Sequence, residues 1–155
     1  MLDYDLLHGR TYLYSKLKPL YAFGYGLSYT SFTYDKLTTS APQISATGQV
    51  EVTVTVKNSG PRDSDEVIQL YVQHQGSAVD RPQLELKAFK RVPIEAGKAA
   101  EVKLTLKARD LAYWDSIRHA WRVEKEPVKL LAGGSSDNLP VSAVVNIGNT
   151  VEFKP

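Results

Sequence analysis

The stretch Val50-Glu51-Val52-Thr53-Val54-Thr55-Val56-Lys57 decides the fold of this 155-residue chain. Valine alternates with a polar residue throughout, which is the pattern of a β-strand with one buried face and one exposed face. Valine and threonine favour the extended backbone because their branched side chains fit a pleated surface. The next six residues, N-S-G-P-R-D at 58–63, are all turn formers. The stretch therefore predicts a half-buried strand that ends in a turn.

The same alternation recurs along the chain, and turn-forming residues separate the segments at intervals of about ten residues. A shorter strand is predicted at residues 119–123, and residues 108–114 are either one helical turn or a strand crossover. The apolar residues that mark the other predicted strands are Phe32, Tyr34 and Leu37; Ile68, Leu70 and Val72; Leu84 and Leu86; Val102, Leu104 and Leu106; Val128, Leu130 and Ala132; and Val141, Ala143, Val145 and Ile147.

Two further features refine this pattern. Phe89 and Val92 fall out of phase with Leu86, which indicates a β-bulge around Lys87 and Ala88. Seven or eight short strands in a chain of this length are typical of an all-β, immunoglobulin-like sandwich of two sheets. We therefore predict a single β-sandwich domain at residues 31–155.

An aromatic segment precedes the predicted strands. Residues 19–30, P-L-Y-A-F-G-Y-G-L-S-Y-T, fit neither a helical nor a strand period, because Gly24 and Gly26 interrupt the alternating rings. Glycine at such positions commonly lets the backbone adopt a positive φ or pass close to a packed neighbour. Seven of the nine tyrosines lie at or before residue 34, and the β domain has too few rings to bury against all of them. We interpret residues 1–30 as an N-terminal arm that docks on another surface.

Composition excludes several classes of protein. The net charge is +2 with scattered Lys and Arg, which gives no basis for a nucleic-acid or membrane-surface partner. The absence of cysteine excludes disulfides, thiolate metal sites and cysteine nucleophiles. No apolar run approaches the ~20 residues of a membrane helix, and residues 1–5 do not resemble a signal peptide. The sequence predicts a soluble domain and leaves its localisation open.

Residue types that bind metals have simpler interpretations here. Three acidic residues near the turn at 58–63 are close enough to bind calcium, but they lack the EF-hand spacing, so a solvated turn is favoured. The three histidines share no ligand-type spacing, and ordinary packing or surface roles are favoured for them. The acidic residues are Asp63, Asp65 and Glu66, and the histidines are His8, His74 and His119.

Catalytic motifs are equally incomplete. The glycines at 24–28 lack the lysine and the helix of a phosphate-binding loop. Ser28, Ser135 and Ser136 lack the G-x-S-x-G frame of a nucleophile elbow. Paired carboxylates for glycoside hydrolysis require a cleft, and the predicted strands supply none. The sequence therefore offers no catalytic residue, no metal ligand set and no cofactor-binding residue.

The arm resembles the segment that leads into the C-terminal fibronectin type III-like domain of family 3 glycoside hydrolases, the β-glucosidases and β-xylosidases. The family pattern is near P-L-Y-P-F-G-Y/H-G-L-S-Y-T, so Ala22 is a departure from proline. The R-T-Y-L-Y run at 10–14 is similar to the family's R-T-Y-x-Y segment. The sequence at 124–127, E-K-E-P, departs from the usual Pro-Gly. Further matches follow in the family's order at residues 52–60, 66–72, 81–89, 111–115, 120–121 and 128–136.

This resemblance implies a fibronectin type III-like sandwich at 31–155, with the end of an α/β domain and a linker at 1–30. Such enzymes are retaining β-glycosidases whose nucleophilic aspartate and acid/base residue lie in preceding domains, so no catalytic residue is carried over. The implied function is a non-catalytic accessory domain that stabilises a parent enzyme, periplasmic or secreted, by packing on its catalytic domains. The residues expected to make this packing are Tyr12, Tyr14, Tyr21, Phe23, Tyr25, Leu27 and Tyr29.

Two other functions stay open from the residues alone. Tyr21, Tyr25 and Tyr29 would stack on sugar rings in a free-standing carbohydrate-binding module with a polysaccharide partner. A structural module of a cell-surface array is the third possibility. Burial against a neighbouring domain is favoured because the tyrosines are mixed with Leu20 and Leu27. The sequence does not distinguish glucosides from xylosides as substrates of the implied parent.

Overall fold

The computed structural model describes Tyr14 and residues 17–154. Within these residues the chain forms eleven β-strands and one short 3₁₀ helix, Ala108–Leu111. The strands are β1 (Phe32–Thr39), β2 (Gln43–Ile44), β3 (Gln49–Asn58), β4 (Ser64–His74), β5 (Glu85–Ile94), β6 (Ala99–Lys107), β7 (Tyr113–Asp115), β8 (Ala120–Val123), β9 (Pro127–Gly133), β10 (Val141–Ile147) and β11 (Val151–Phe153).

Two sheets form the sandwich. The first sheet has the order β1-β3-β6, and the second has the order β2-β10-β9-β4-β5. A small third sheet, β11-β8-β7, adjoins the two larger sheets. Neighbouring strands are antiparallel except for the parallel pair of β2 and β10. The prediction of an all-β, two-sheet sandwich is confirmed. No helix in the described residues is long and apolar enough to cross a bilayer.

The core lies between the two larger sheets. The four alternating valines of β3, at positions 50, 52, 54 and 56, are completely buried, as the sequence predicts. Ile68, Leu70 and Val72 of β4 are also completely buried and belong to the same core cluster. The predicted bulge is present as well, since Leu70 pairs with Ala88 whereas Tyr71 pairs with Leu86. One residue of β5 is therefore left without a partner between these two pairs.

The expectation of seven or eight strands is too low. Strands β2, β7 and β11 were not predicted, because two or three residues cannot display an alternating pattern. Strand β10, expected to be the last, is followed by β11. Of the two alternatives for residues 108–114, the helical turn is present at Ala108–Leu111, and β7 begins at Tyr113.

The turn after β3 is fixed by a buried asparagine. Asn58 is completely buried, and its Nδ2 donates hydrogen bonds to the carbonyl oxygens of Arg62 (2.8 Å) and Ile94 (2.9 Å). Its Oδ1 accepts hydrogen bonds from the hydroxyl of Thr30 (2.6 Å) and the amide of Gly60 (3.1 Å). All four hydrogen-bonding positions of the amide are thus used. This side chain ties together the β3–β4 turn, the end of β5 and the end of the arm.

Candidate functional site

The described part of the N-terminal arm, at residues 19–30, lies on the outer face of the second sheet. On β4 the core-facing residues alternate with Gln69 and Tyr71, which point away from the core and yet are only 4% exposed. Gly24 of the arm passes directly over the Gln69 side chain. The amide of Ser136, in the turn after β9, donates a hydrogen bond to the carbonyl oxygen of Phe23 (2.9 Å). The arm therefore covers a polar patch on the sheet and is attached there.

Gly24 has both properties for which glycine was expected, a positive φ and a close approach to a packed neighbour. The amide of Tyr25 donates a hydrogen bond to the carbonyl oxygen of Ala22 (3.0 Å), which closes a tight turn, and Gly24 has a φ of 83° within it. A side chain at this position would overlap the Gln69 amide group. That amide is itself held, because it donates a hydrogen bond to the carbonyl oxygen of Gly134 (2.6 Å). Only glycine fits this crossing without a shift of the arm or the sheet.

The other side of residues 19–30 is exposed. Tyr21 and Phe23 are each 68% exposed, and the rings of Tyr21 and Tyr25 lie 5.3 Å apart. Leu27 and Tyr29 are still more exposed, at 92% and 88%. Of the other residues for which interdomain packing was expected, Tyr14 is half-buried and Tyr12 lies outside the described residues. An exposed apolar group of this size commonly marks an interaction surface.

A cavity of about 590 Å³ lies between the arm and one end of the sandwich. The rings of Tyr25, Tyr29 and Tyr34 line it together with the carboxyl groups of Glu66 and Asp137. The Tyr34 hydroxyl donates a hydrogen bond to Glu66 (2.6 Å). Burial raises the pKa of both groups, and the neighbouring carboxylate raises that of Tyr34 further. This pair holds the first sheet to the second at the cavity.

The three acidic residues considered for calcium have separate partners. Asp63 accepts a hydrogen bond from the amide of Ala96 (2.7 Å), and Asp65 pairs with Arg91 (2.7 Å). Glu66 faces the cavity described above. Among the residues that the structure describes, no three His, Asp or Glu side chains are grouped as metal ligands.

A buried charged network surrounds His74 at the end of β4. His74 Nδ1 lies 2.6 Å from a carboxylate oxygen of Glu126, and His74 Nε2 lies 3.2 Å from a carboxylate oxygen of Glu85. Arg81 Nη2 lies 2.8 Å from His74 Nε2 and donates a hydrogen bond to the carbonyl oxygen of Leu111 (2.8 Å). The His74 and Glu126 side chains are 2% and 4% exposed. We name residues His74, Arg81, Glu85 and Glu126 the His74 network.

The His74 network fastens the β4–β5 segment, residues 75–84. Its first half is held by carboxylates, because Glu126 accepts a hydrogen bond from the amide of Gly76 (3.1 Å) and Glu124 accepts one from the Ser77 hydroxyl (2.6 Å). Its second half is held by Arg81, whose guanidinium also lies 5.4 Å from the centre of the Tyr113 ring. The segment lines a second cavity of about 270 Å³.

The pKa values of the network follow from burial and from these partners. Burial alone lowers the pKa of His74, but hydrogen bonds to Glu126 and Glu85 outweigh it, so the pKa lies above 6.5. Burial alone raises the pKa of Glu85, but hydrogen bonds from His74 and Lys87 and the charges of Lys87 and Arg81 lower it to about 2. The network therefore favours a charged carboxylate and a charged imidazole.

These shifts predict how stability depends on pH. The stability contributed by Glu85 is complete above pH 4.5 and is lost as the pH falls towards about 2. The contribution of His74 is complete below pH 6.5 and is lost as the pH rises through its raised pKa. We measure the free energy of unfolding in urea at a series of pH values. In Glu85→Gln it should decrease less as the pH falls below 4.5, and in His74→Gln it should decrease less as the pH rises above 6.5.

The control for this prediction is His119→Gln, because His119 is exposed. This variant should lose unfolding free energy at acid and at alkaline pH as the unmodified chain does. Glu66 titrates with the opposite sign because its pKa is raised, so the test compares each variant with the unmodified chain. Acid and alkaline losses of unchanged size in the two network variants would contradict the assignment.

Sequence reasoning missed the His74 network. Its members come from β4, from the following segment, from β5 and from the β8–β9 connection, and only the strand register brings them together. One signal existed in the chain. Glu124 and Glu126 lie in the E-K-E-P run that departs from the family pattern, and both hold the 75–84 segment.

Comparisons with known proteins agree with this fold. The model of the fibronectin type III-like domain matches residues 66–136. The β-glucosidase BoGH3A of Bacteroides ovatus is 38% identical over 136 residues, which cover 87% of this chain and 18% of that protein. The structure of β-glucosidase 3B from Thermotoga neapolitana with glucose is similar with a TM-score of 0.81 and 34% identity, over 90% of this chain and 19% of that one.

A family 3 β-glucosidase from Bifidobacterium adolescentis is similar with a TM-score of 0.75 and 37% identity, over 82% of this chain and 18% of its own. The chain thus spans less than a fifth of the length of these relatives. With this sandwich and this match, the chain is a fibronectin type III-like domain. It belongs with the domains of this type in glycoside hydrolase family 3 β-glucosidases, where it corresponds to their C-terminal region.

Proposed function

We propose that this chain is a non-catalytic accessory domain of a family 3 β-glucosidase and stabilises that enzyme by packing on its catalytic domains. The observation that carries the proposal is the two-sided arm. One side is attached to the sheet through Gly24 and Phe23, whereas the other presents Leu27 and Tyr29 almost fully to solvent. Exposed apolar side chains on an ordered segment are typical of a surface that a partner covers.

The relatives supply the partner in this proposal. They contain more than four-fifths of their length outside the matched region, and the arm is the part of this chain that precedes the sandwich. We propose that residues 1–30 correspond to the end of an α/β domain and its linker. Catalysis and the choice between glucosides and xylosides would then belong to the preceding domains.

A chimera tests the proposal. This chain replaces the matching region of β-glucosidase 3B from Thermotoga neapolitana, and Phe23 and Leu27 are both changed to serine. Each side chain is expected to contribute about 1.5–3 kcal/mol when covered, so the double variant should lower the thermal midpoint of the chimera by several degrees. In the isolated chain the same variant should change the free energy of unfolding by only about 0.5 kcal/mol, because both side chains are exposed there.

Ile117→Ser provides the matched control. Ile117 is 86% exposed and lies in the β7–β8 connection, away from the arm in the sequence. The Ile117→Ser substitution should change the stability of neither the chimera nor the isolated chain. The proposal is wrong if the arm variant has the same small effect in both proteins.

A carbohydrate-binding module is the second candidate function, and the cavity beside Tyr25 and Tyr29 favours it. Tyrosine rings next to carboxyl groups can stack on a sugar and accept hydrogen bonds from its hydroxyls. Retention of the chain on cellulose or xylan, abolished by Tyr25→Ala, would support this function. Elution with the unbound fraction on both polysaccharides would remove it.

A further inference from the structure

His74 Nε2 lies between two partners that it cannot satisfy at the same time. Arg81 Nη2 is a donor at 2.8 Å, and the Glu85 carboxylate is an acceptor at 3.2 Å. A neutral imidazole with its proton on Nδ1 accepts the hydrogen bond from Arg81. A protonated imidazole donates to Glu85 instead, and its N–H then opposes an N–H of Arg81. The Nδ1 proton donates to Glu126 in both states.

The charged groups around His74 come from every element packed against it. Strand β5 contributes Glu85, with Lys87 bound to its other oxygen at 2.7 Å. The 75–84 segment contributes Arg81, and the β8–β9 connection contributes Glu126. Arg81 Nη2 also donates to the Glu85 oxygen that faces His74, at 3.3 Å. Arg81 also contacts the carbonyl oxygen of Leu111 and the Tyr113 ring. The Glu124 carboxylate binds residues 77 and 78. Two carboxylates attract a proton to His74, whereas burial and Arg81 oppose it.

We propose that His74 is a proton-operated switch that selects between two arrangements of the 75–84 segment. When His74 is neutral, Arg81 bonds to Nε2 and holds in place the second half of the segment, which lines the 270 Å³ cavity. When His74 gains a proton, Nε2 donates to Glu85 and the guanidinium is displaced from the imidazole. The second half of the segment then loosens.

The change is confined because the two halves of the segment have different anchors. Gly76 and Ser77 are held by Glu126 and Glu124, and neither carboxylate depends on the Nε2 proton. The Val79 amide donates to the Ser77 hydroxyl and so belongs to the first half. Residues 80–83 depend on Arg81, whose contact with His74 is lost on protonation while its contacts with Glu85 (3.3 Å) and the Leu111 carbonyl oxygen remain. Protonation therefore strengthens the fold as a whole, through the carboxylates, while it loosens one half of a surface segment.

NMR spectroscopy of the full chain between pH 5 and pH 9 tests this switch. The His74 imidazole signals give the titration midpoint, and ¹⁵N heteronuclear NOE values report the fast motion of each backbone amide. We expect the NOE values of residues 80, 81 and 83 to fall at low pH with the His74 midpoint. Those of Gly76 and Ser77 should stay constant. A mere electric-field effect of the new charge would move chemical shifts and leave the NOE values unchanged.

Variants separate the switch from a structural role of His74. His74→Gln should remove the pH dependence of the NOE values, whereas His119→Gln should retain it. In Arg81→Met the imidazole still titrates, but the segment should no longer respond, and this variant keeps the test valid if His74→Gln does not fold. The proposal is overturned if residues 80, 81 and 83 keep constant NOE values through the His74 titration, or if their response persists in Arg81→Met.

Discussion

Replacing Asn58 by aspartate is expected to destabilise this domain by about 3 kcal/mol or more, although the side chain hardly changes size. An ionised aspartate has no donor for the carbonyl oxygens of Arg62 and Ile94, and it would face them as a buried charge. The same exchange leaves the acceptor for Thr30 and Gly60 in place. The loss is large beside the total stability of ~5–15 kcal/mol of a typical domain.

Urea unfolding measures this effect, and Asn138→Asp is its control. Asn138 is exposed in the turn after β9, so the same chemical change should cost no more than about 0.5 kcal/mol. Equal stability of the two variants would show that the hydrogen bonds of Asn58 do not hold the β3–β4 turn to β5 and the arm.

Replacing Gly133 by alanine is the second substitution with a large expected effect, about 3 kcal/mol of destabilisation. Gly133 ends β9 and is buried, and an added Cβ would overlap the carbonyl oxygen of Asn138. Because the obstacle is backbone, the turn after β9 must move. That turn carries the Ser136 amide that binds the arm at Phe23, so the attachment of the arm should weaken too.

Gly26→Ala is the matched control for this clash. No atom lies within 4 Å of the position that a Cβ at Gly26 would take, so this variant should unfold within about 0.5 kcal/mol of the unmodified chain. Urea unfolding followed by tryptophan fluorescence measures stability, and limited proteolysis of residues 19–30 measures attachment of the arm. If Gly133→Ala and Gly26→Ala have the same free energy of unfolding, the close approach of the turn to β9 does not require glycine at position 133.

Strands β3, β6, β9 and β10 could be predicted from the sequence because their burial largely follows a period of two. The four valines of β3 show this, as does the out-of-phase run that placed the bulge in β5. The short strands β2, β7 and β11 could not be found in this way. Two or three residues carry no period, and register with neighbouring strands alone defines them.

The candidate sites show the same division. The unusual composition of the arm made it visible in the sequence, and Gly24 has both of the properties for which glycine was expected. The polar patch beneath it, Gln69 and Tyr71, alternates with the core residues of β4, and nothing in the sequence shows that the arm folds back over it. The His74 network was missed for a similar reason, since strand pairing over long sequence separations assembles it.

The fold suggests how an accessory domain of this kind would work. A compact core between two sheets gives a stable platform, and Asn58 and the turn after β9 hold the arm on it. The arm then offers its apolar side in a fixed place. Pre-organisation of this sort reduces the entropy lost when a partner binds.

Hydroxyl-radical footprinting measures whether the arm is covered when the domain is joined to an enzyme. The rates of modification of Leu27 and Tyr29 are measured in the isolated chain and in the chimera with the β-glucosidase from Thermotoga neapolitana, with Ile117 as an internal reference. The account predicts that both arm residues are modified several times more slowly in the chimera, while the rate at Ile117 is unchanged. Equal rates at Leu27 and Tyr29 in the two proteins would contradict a docked arm.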